Sequence, residues 1–430
     1  MSSTTASVLL VSRGFPPYAA SLGGAVRILK LAEYLRDRGA EVHVLAGKGR
    51  LYGDFGYGDL LRSISVHYVP DPLLARSGPA VPGQTGPAQT GWRGMARSLI
   101  VQGSVPDTGI FAYPRLKRVA RELIVQRGIR NIVTSGPPHS DHLIGLAAKR
   151  EFGAAINWIV DYRDSWNGTA LFRKSNGLLQ YFNRAIEKTV LRRADHITYI
   201  SEPMIEKIAA MFGPDGEAAR GKSTLVMNGY DARQAPVGVN WVARGSRLRL
   251  GYFGLIDDRP DSYRNPTDLF EAIIANDLDV SIELYGQIRI APQWQERLGD
   301  RLTIGGVLPH AESVMRMASM DALLVLHTRH DGADEVLTGK IFEYLLSGRP
   351  VLSVGPEQMA ANGLLRQLLT GHSVRHDDSG ALVEKLRELV RLKAEGRLAS
   401  TQPAGIERYS REYQYSRIEK LLSLSRHPKS

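Results

Sequence analysis

Short apolar runs recur along this chain in a fixed order, each followed by a Gly- or Pro-containing loop, a helix-period segment and another apolar run. Parallel strands need such crossover helices, so this order restricts the chain to α/β architecture. Ser7–Val11 reads as a buried strand, Arg13–Gly24 as a loop, Val26–Arg38 as an amphipathic helix closed by Gly39, and Val42–Ala46 as the next strand. The rhythm returns with Ile132–Ser135 before a helix over Asp141–Arg150, and with Ile156–Val160 before a loop from Asp161 to Trp166. A connection over Asp231–Gly245 precedes a second series. Strands at Leu248–Phe253, Val280–Tyr285, Ala322–Leu326 and Pro350–Val354 alternate there with helices over Thr267–Ala275, Ala311–Ala318 and Gly339–Ser347. The expectation is two Rossmann-like, doubly wound domains facing each other across a cleft, over residues 1–235 and 246–404, with 405–430 as a C-terminal helical segment. The Pro- and Gly-rich stretch Asp71–Pro114 fits no core and reads as a functional excursion.

Composition narrows the chemistry. The absence of cysteine removes disulfides and thiolate catalysis. No apolar run approaches the roughly 18 residues of a spanning helix, and Val8–Val11 is too short for a secretory core, so a cytoplasmic protein is expected. A net charge of +11 calls for an anionic partner: a nucleoside diphosphate, an acidic membrane surface or a nucleic acid. The zinc-ligand spacings, aromatic RNA-binding strips and dense basic tails of nucleic-acid binders are missing, which argues against the last.

The sharpest constellation is Glu335-Val-Leu-Thr-Gly-Lys-Ile-Phe-Glu343, followed by Tyr344-Leu-Leu-Ser-Gly-Arg-Pro-Val351. Glu335 falls in the loop after the strand Ala322–Leu326, and Glu343 one turn into the next helix, near the carboxyl ends of strands where open α/β sheets bind ligands. Lys340 falls in that helix's first turn, where its charge opposes the helix dipole unless an anion is bound. The plain alternative is a surface pair between Lys340 and Glu343. Gly23 and Gly24 precede a helix, so bare backbone could approach a phosphate or sugar there; glycine serving only the turn is the alternative. Gly254 ends a strand, and Arg264-Asn265-Pro266 opens a helix.

This block, with Phe15-Pro-Pro-Tyr18, the Gly23–Leu35 and Arg38–Leu45 segments, Ser135-Gly-Pro-Pro-His139, Asp161-Tyr-Arg-Asp-Ser-Trp166, Ala194-Asp195 and Asn228-Gly-Tyr-Asp231, resembles glycosyltransferase family 4 in order and spacing. The resemblance implies the GT-B fold and transfer of a sugar, with retention, from a nucleoside-diphosphate sugar to a glycan, a lipid-linked sugar or another glycoconjugate of a cell-surface polysaccharide pathway. It assigns Arg264 and Lys340 as cations on the donor diphosphate, with Arg259 as a rival, Glu335 to the transferred sugar, and Glu343 to the ribose hydroxyls. The first domain would hold the acceptor, and the C-terminal helix would cross back to it.

One departure concerns catalysis. Many members of the family carry histidine and aspartate after the strand matching Ile156–Val160, where this chain has Arg163-Asp164, as in an Asp-x-Arg-Asp-x-Trp branch. The location carries over, with Arg163 gripping phosphate or acceptor or, alternatively, pairing with Asp161 or Asp164 to shape the loop. His139 is the nearest spare base, although a lone loop histidine is more often a surface hydrogen-bonder. No cofactor or metal is expected: Asp331 and Asp334 have the wrong spacing for a metal pair, and Asp257 and Asp258 read as solvated loop acids. Trp92–Val101, with Arg115, Lys117, Arg118 and Arg121, combines apolar and basic character that suits an anionic membrane or a folded flap. The competing readings are a nucleotide-sugar epimerase of the same fold and a catalytically inert scaffold. A dehydrogenase is disfavoured because Gly23-Gly24 lacks the G-x-G-x-x-G pattern.

Overall fold

A computed structural model describes residues 7–19, 24–53, 56–74, 100–169, 172–235, 245–327, 332–335, 337–398 and 402–422. Gly23, Asp331 and residues 92–99 of the basic apolar segment lie outside the described residues. The chain divides into one unit of Met1–Met227 with Gln414–Ser430 and another of Asn228–Tyr413. Residues 228–235 thus group with the second unit rather than the first. There Tyr230 N–H donates to the Tyr409 carbonyl at 3.0 Å and the Tyr230 carbonyl accepts from Arg411 N–H at 2.7 Å.

The first unit is built on strands β1 (Ser7–Val11), β2 (Glu41–Lys48), β3 (Ser65–Pro70), β4 (Asn131–Gly136), β5 (Asn157–Tyr162), β6 (His196–Tyr199) and β7 (Ser223–Leu225). Among the described residues they form a parallel sheet in the order β3-β2-β1-β4-β5-β6-β7. Both faces are buried, which explains why β1 is apolar throughout rather than alternating. Leu9, Val11, Ile132 and Trp158 pack with Leu116, Ile144 and Val190 on one side. Val8, Leu10, Val133 and Ile159 pack with Ile28, Leu35, Tyr415 and Ile418 on the other. Tyr415 and Ile418 come from the last helix, Arg411–Leu421, and the Tyr415 hydroxyl donates to the Arg27 carbonyl at 3.1 Å.

The second unit holds β8 (Leu248–Asp257), β9 (Val280–Arg289), β10 (Leu302–Gly306), β11 (Ala322–Leu326), β12 (Val351–Gly355) and β13 (Gly371–Arg375). They run parallel in the order β10-β9-β8-β11-β12-β13. In each sheet the connection reverses direction beside the first strand, between β1 and β4 and between β8 and β11. The carboxyl ends at these switch points are where ligands settle in such folds.

Two boundaries differ from the sequence expectation in ways that matter for the site. β5 runs on through Asp161 and Tyr162, because the Asp161 carboxylate is fully satisfied inside the sheet. β8 continues to Asp257, so Gly254 lies within a strand rather than at its end, paired with Gly286 of β9.

Candidate functional site

In the second unit the helix Gly339–Ser347 follows β11 and is stopped by Gly348 in the left-handed conformation, φ 70°. It buries Ile341, Phe342, Tyr344, Leu345 and Leu346. The Tyr344 hydroxyl accepts from the Phe253 backbone N–H at 3.1 Å and so ties the helix to β8. Lys340 is thereby fixed in the first turn. Burial lowers its pKa to about 8, with the charge of Glu343 opposing the shift and that of Arg264 adding to it. The surface pair does not form: among the described residues Lys340 makes no ion pair, and Glu343 instead faces His310 at 3.7 Å.

The rival cations separate clearly. Arg259 is held in two-pronged fashion by Asp257, at 2.8 and 2.9 Å, whereas Arg264 has no carboxylate partner among the described residues. The Arg264 guanidinium lies 5.2 Å over the ring of Tyr263 and opposes the burial that raises the Tyr252 hydroxyl's pKa. Asp257 and Asp258 are therefore not the solvated loop acids expected. Asp257 anchors Arg259, and Asp258 accepts from the Ala291 N–H at 2.7 Å and the Trp294 indole at 3.1 Å. Glu335 is buried in a short 3-10 turn, Ala333–Glu335.

Gly286 was not expected to matter. Its φ is +123°, and a Cβ there would collide with the Gly254 carbonyl oxygen. The signal was available as a glycine interrupting a strand pattern. Gly286→Ala is expected to destabilise the protein by about 1–3 kcal/mol, through strain and overpacking. A melting curve of the variant checks this, and an unchanged midpoint would count against the close strand approach.

In the first unit Gly24 directly precedes the helix Ala25–Asp37. Its carbonyl accepts from Arg163, which also holds the carbonyls of Gly136 and Pro137. A Cβ on Gly24 would collide with that guanidinium, so glycine here admits Arg163 itself. Arg163 is buried and its pKa is lowered by burial. It pairs with neither Asp161 nor Asp164, and it staples the glycine loop to the turn after β4. Asp161 is occupied by Arg27, with contacts of 2.7–3.2 Å, and by the hydroxyls of Ser135 and Thr198, each at 2.7 Å. Trp166 donates to Asn183 at 2.9 Å. Within Asp161-Tyr-Arg-Asp-Ser-Trp166, Asp164 is the exposed residue; the others are buried.

His139 is not a surface histidine. Its ring is stacked on Trp166, with centroids 5.0 Å apart and planes 3° from parallel, and Phe172 approaches edge-on at 4.9 Å. Burial, aided by the charge of Arg163, lowers its pKa to about 3. Such a ring stays neutral and is a poor proton acceptor near pH 7, which corrects its candidacy as the base. Two residues on, Asp141 was not singled out from sequence. It is buried, accepts the Arg13 backbone N–H at 2.8 Å, and has its pKa raised to about 7 by burial and by the charge of Asp107, against that hydrogen bond. Burial thus poises this carboxyl close to neutral pH.

Comparison with known proteins follows the same lines. A family profile described as a glycosyl transferase 4-like domain matches residues 23–220, and one described as glycosyl transferase-like matches residues 264–423. No curated protein matches the chain by sequence. Among solved structures, sucrose-phosphate synthase from Thermosynechococcus elongatus is 17% identical with a TM-score of 0.64, over 97% of this chain and 98% of that one. HepE from Anabaena, solved with UDP-glucose, is 16% identical with a TM-score of 0.61, over 97% and 99%. A protein described as a UDP-N-acetylglucosamine 2-epimerase from Listeria monocytogenes is 13% identical with a TM-score of 0.54, over 96% and 95%. At these identities the likeness is one of fold.

Proposed function

The chain belongs to the glycosyltransferases of the family 4 type, with the GT-B fold, and we propose that it is a retaining enzyme. It takes a sugar from a nucleoside-diphosphate sugar and delivers it to a glycan, lipid-linked or other glycoconjugate acceptor in assembly of a cell-surface polysaccharide, on the cytoplasmic side. The observation that carries this reading is the pair Lys340 and Arg264: two cations, the charge of Arg264 adding to the lowering of the Lys340 pKa, neither with a carboxylate partner among the described residues, with Lys340 at a helix N-terminus beside the switch point. Gathering like charges is unfavourable on its own, and a diphosphate reverses the sign.

The chemistry follows from charge development. As the bond from the anomeric carbon to the diphosphate breaks, negative charge grows on phosphate oxygens and positive charge on the sugar ring. Lys340 and Arg264 stabilise the first, and Glu335 the second; Glu343 takes the ribose hydroxyls. A diphosphate is a good leaving group, so neither a strong acid nor a metal is required. Attack on the same face, with the departing diphosphate helping to take the acceptor's proton, retains the configuration and leaves no task that His139 must perform.

The test is a thermal-shift series with UDP, GDP, ADP, dTDP and their sugar conjugates, starting with UDP-glucose, on the wild type and Glu343→Ala. A ligand at about 100 times its dissociation constant stabilises the native state by about 2.7 kcal/mol. We expect one nucleotide class to raise the wild-type midpoint and to act much more weakly on Glu343→Ala. Silence from every nucleotide would turn the reading to an inert scaffold. Donor turnover without any acceptor would turn it to an epimerase, an activity met on this fold.

A further inference from the structure

The loop that follows β8 ends on a cation whose side chain is held without being neutralised. The loop's backbone is pinned at several points. The Arg264 N–H donates to the Ser262 hydroxyl at 3.2 Å, and the Arg264 carbonyl accepts from the Asp257 N–H at 3.3 Å. The Asn265 amide donates to the carbonyls of Asp258 and Arg259 at 3.1 and 3.0 Å. None of these bonds fixes the guanidinium. Two phenols face it instead: the Tyr263 ring, whose centroid is 5.2 Å from the guanidinium carbon, and the hydroxyl of buried Tyr252. Tyr263 is anchored in turn by His327, with ring centroids 5.2 Å apart and planes inclined by 30°. His327 is buried just past the end of β11, where its N–H donates to the Val354 carbonyl of β12 at 2.8 Å. The line from Arg264 through Tyr263 to His327 therefore crosses the switch point between β8 and β11.

A long cation at a binding site has to be held still, because otherwise its rotamer freedom is lost at the moment of binding. A carboxylate does this by cancelling the charge, as Asp257 does for Arg259 with contacts of 2.8 and 2.9 Å. An aromatic face acts differently. It attracts the guanidinium through the ring quadrupole and covers one flat side, while the N–H groups along the edge keep their charge and their fork geometry for a diphosphate. Two arginines of one loop are thus held in opposite ways, and only the one resting on Tyr263 keeps its charge for a ligand.

We propose that Tyr263, braced by His327, is a positioning residue that holds Arg264 in place with its charge uncompensated for the donor diphosphate. The proposal rests on the transferase reading for what the cation meets; the clamp itself belongs to the loop. The test uses the full chain as wild type, Tyr263→Phe, and the non-aromatic Tyr263→Leu and Tyr263→Met. Order of the Arg264 side chain is read from nitrogen relaxation of its Nε–H resonance, identified by its loss in Arg264→Met. Affinity is read by calorimetric titration with UDP, GDP, ADP and dTDP, and with inorganic pyrophosphate, which presents the diphosphate without a base. Tyr263→Phe keeps the aromatic face and is expected to match the wild type in both readouts. Both non-aromatic variants should release the side chain, lowering its order parameter, and weaken diphosphate binding about three- to tenfold, the range of a cation–ring contact. In an Arg264→Met background the same replacements should weaken binding no further, because their effect passes through that side chain. An order parameter unchanged in Tyr263→Leu and Tyr263→Met, or an affinity loss that persists in the Arg264→Met background, overturns this proposal alone. A wild type that binds none of the diphosphates, while its Arg264 order still depends on Tyr263, overturns the transferase reading and with it the purpose assigned to the clamp.

Discussion

Lys340→Met is expected to stabilise the ligand-free protein at pH 7 by up to about 3 kcal/mol, while lowering affinity for the donor by about 10²–10³-fold. Burial lowers the pKa of this lysine from 10.5 to about 8, which means that the fold disfavours its charged form. The sign follows from linkage. For a lysine lowered in the fold, the penalty is fully present below about pH 8 and is relieved as pH rises from there to 10.5. The ligand-free wild type should therefore gain stability over that window, and Lys340→Met should lose that slope. Ligand inverts the relation, because a diphosphate favours the ammonium: donor affinity should fall as pH rises past about 8, and binding there should take up a proton. Melting curves at pH 7 and pH 10, with calorimetric titrations in two buffers, measure both effects. A variant that is less stable than the wild type and still binds nucleotide would remove Lys340 from the site.

The second large effect belongs to the first unit. Arg27→Met is expected to destabilise it by about 3–5 kcal/mol, the usual result of leaving a buried charge without its partner. Arg27 contacts both Asp161 oxygens and donates to the carbonyls of Val226 and Met227, at 2.9 and 3.1 Å, so its loss loosens three segments at once. Asp161 is fully buried and, despite that burial, its pKa is held below 3.8 by Arg27 and by the Thr198 and Ser135 hydroxyls. In the wild type the stability from this carboxylate is present above pH 3.8 and is lost only as pH falls through its still lower native value. In the variant the sign reverses, because an unpaired buried carboxyl titrates upward and the protein should regain stability as pH falls from 7 to 5. Denaturant midpoints across that range test this; the double variant Arg27→Met/Asp161→Asn should lose less than the single one. Equal midpoints for Arg27→Met and the wild type would refute the account.

The parts of this molecule legible in its sequence are those governed by local period. β1 and β11 were readable to the residue because buried parallel strands are continuous apolar runs, and Gly339–Ser347 because its apolar face is strongly periodic. The strands β3, β6, β7, β10 and β13 were missed because they are short or interrupted by polar residues, as in Ser65-Val-His-Tyr-Val-Pro70. At the candidate site, chain order singles out Lys340, Glu343 and Arg264 as candidates, but the choice between Arg264 and Arg259 depends on which side chain Asp257 captures, and no period encodes that. His139 shows the same limit. Its neighbours Pro137 and Pro138 suggest an exposed loop, yet Trp166 and Phe172, remote in sequence, enclose it.

The backbone hydrogen bonds that join Tyr230 to Tyr409 and Arg411, one donated and one accepted, bear on how the chain can be engineered. The chain leaves the first unit after Met227 and re-enters it at Gln414, and the Met227 N–H donates to the Gln414 side chain at 2.8 Å. Residues 228–413 thus form a segment whose own two ends are already laced together by a parallel bridge between Tyr230 and Ser410. Such a segment can be excised, exchanged for a homologous one or circularly permuted with little new loop to close, and the scar left in the host is a junction whose flanks already touch.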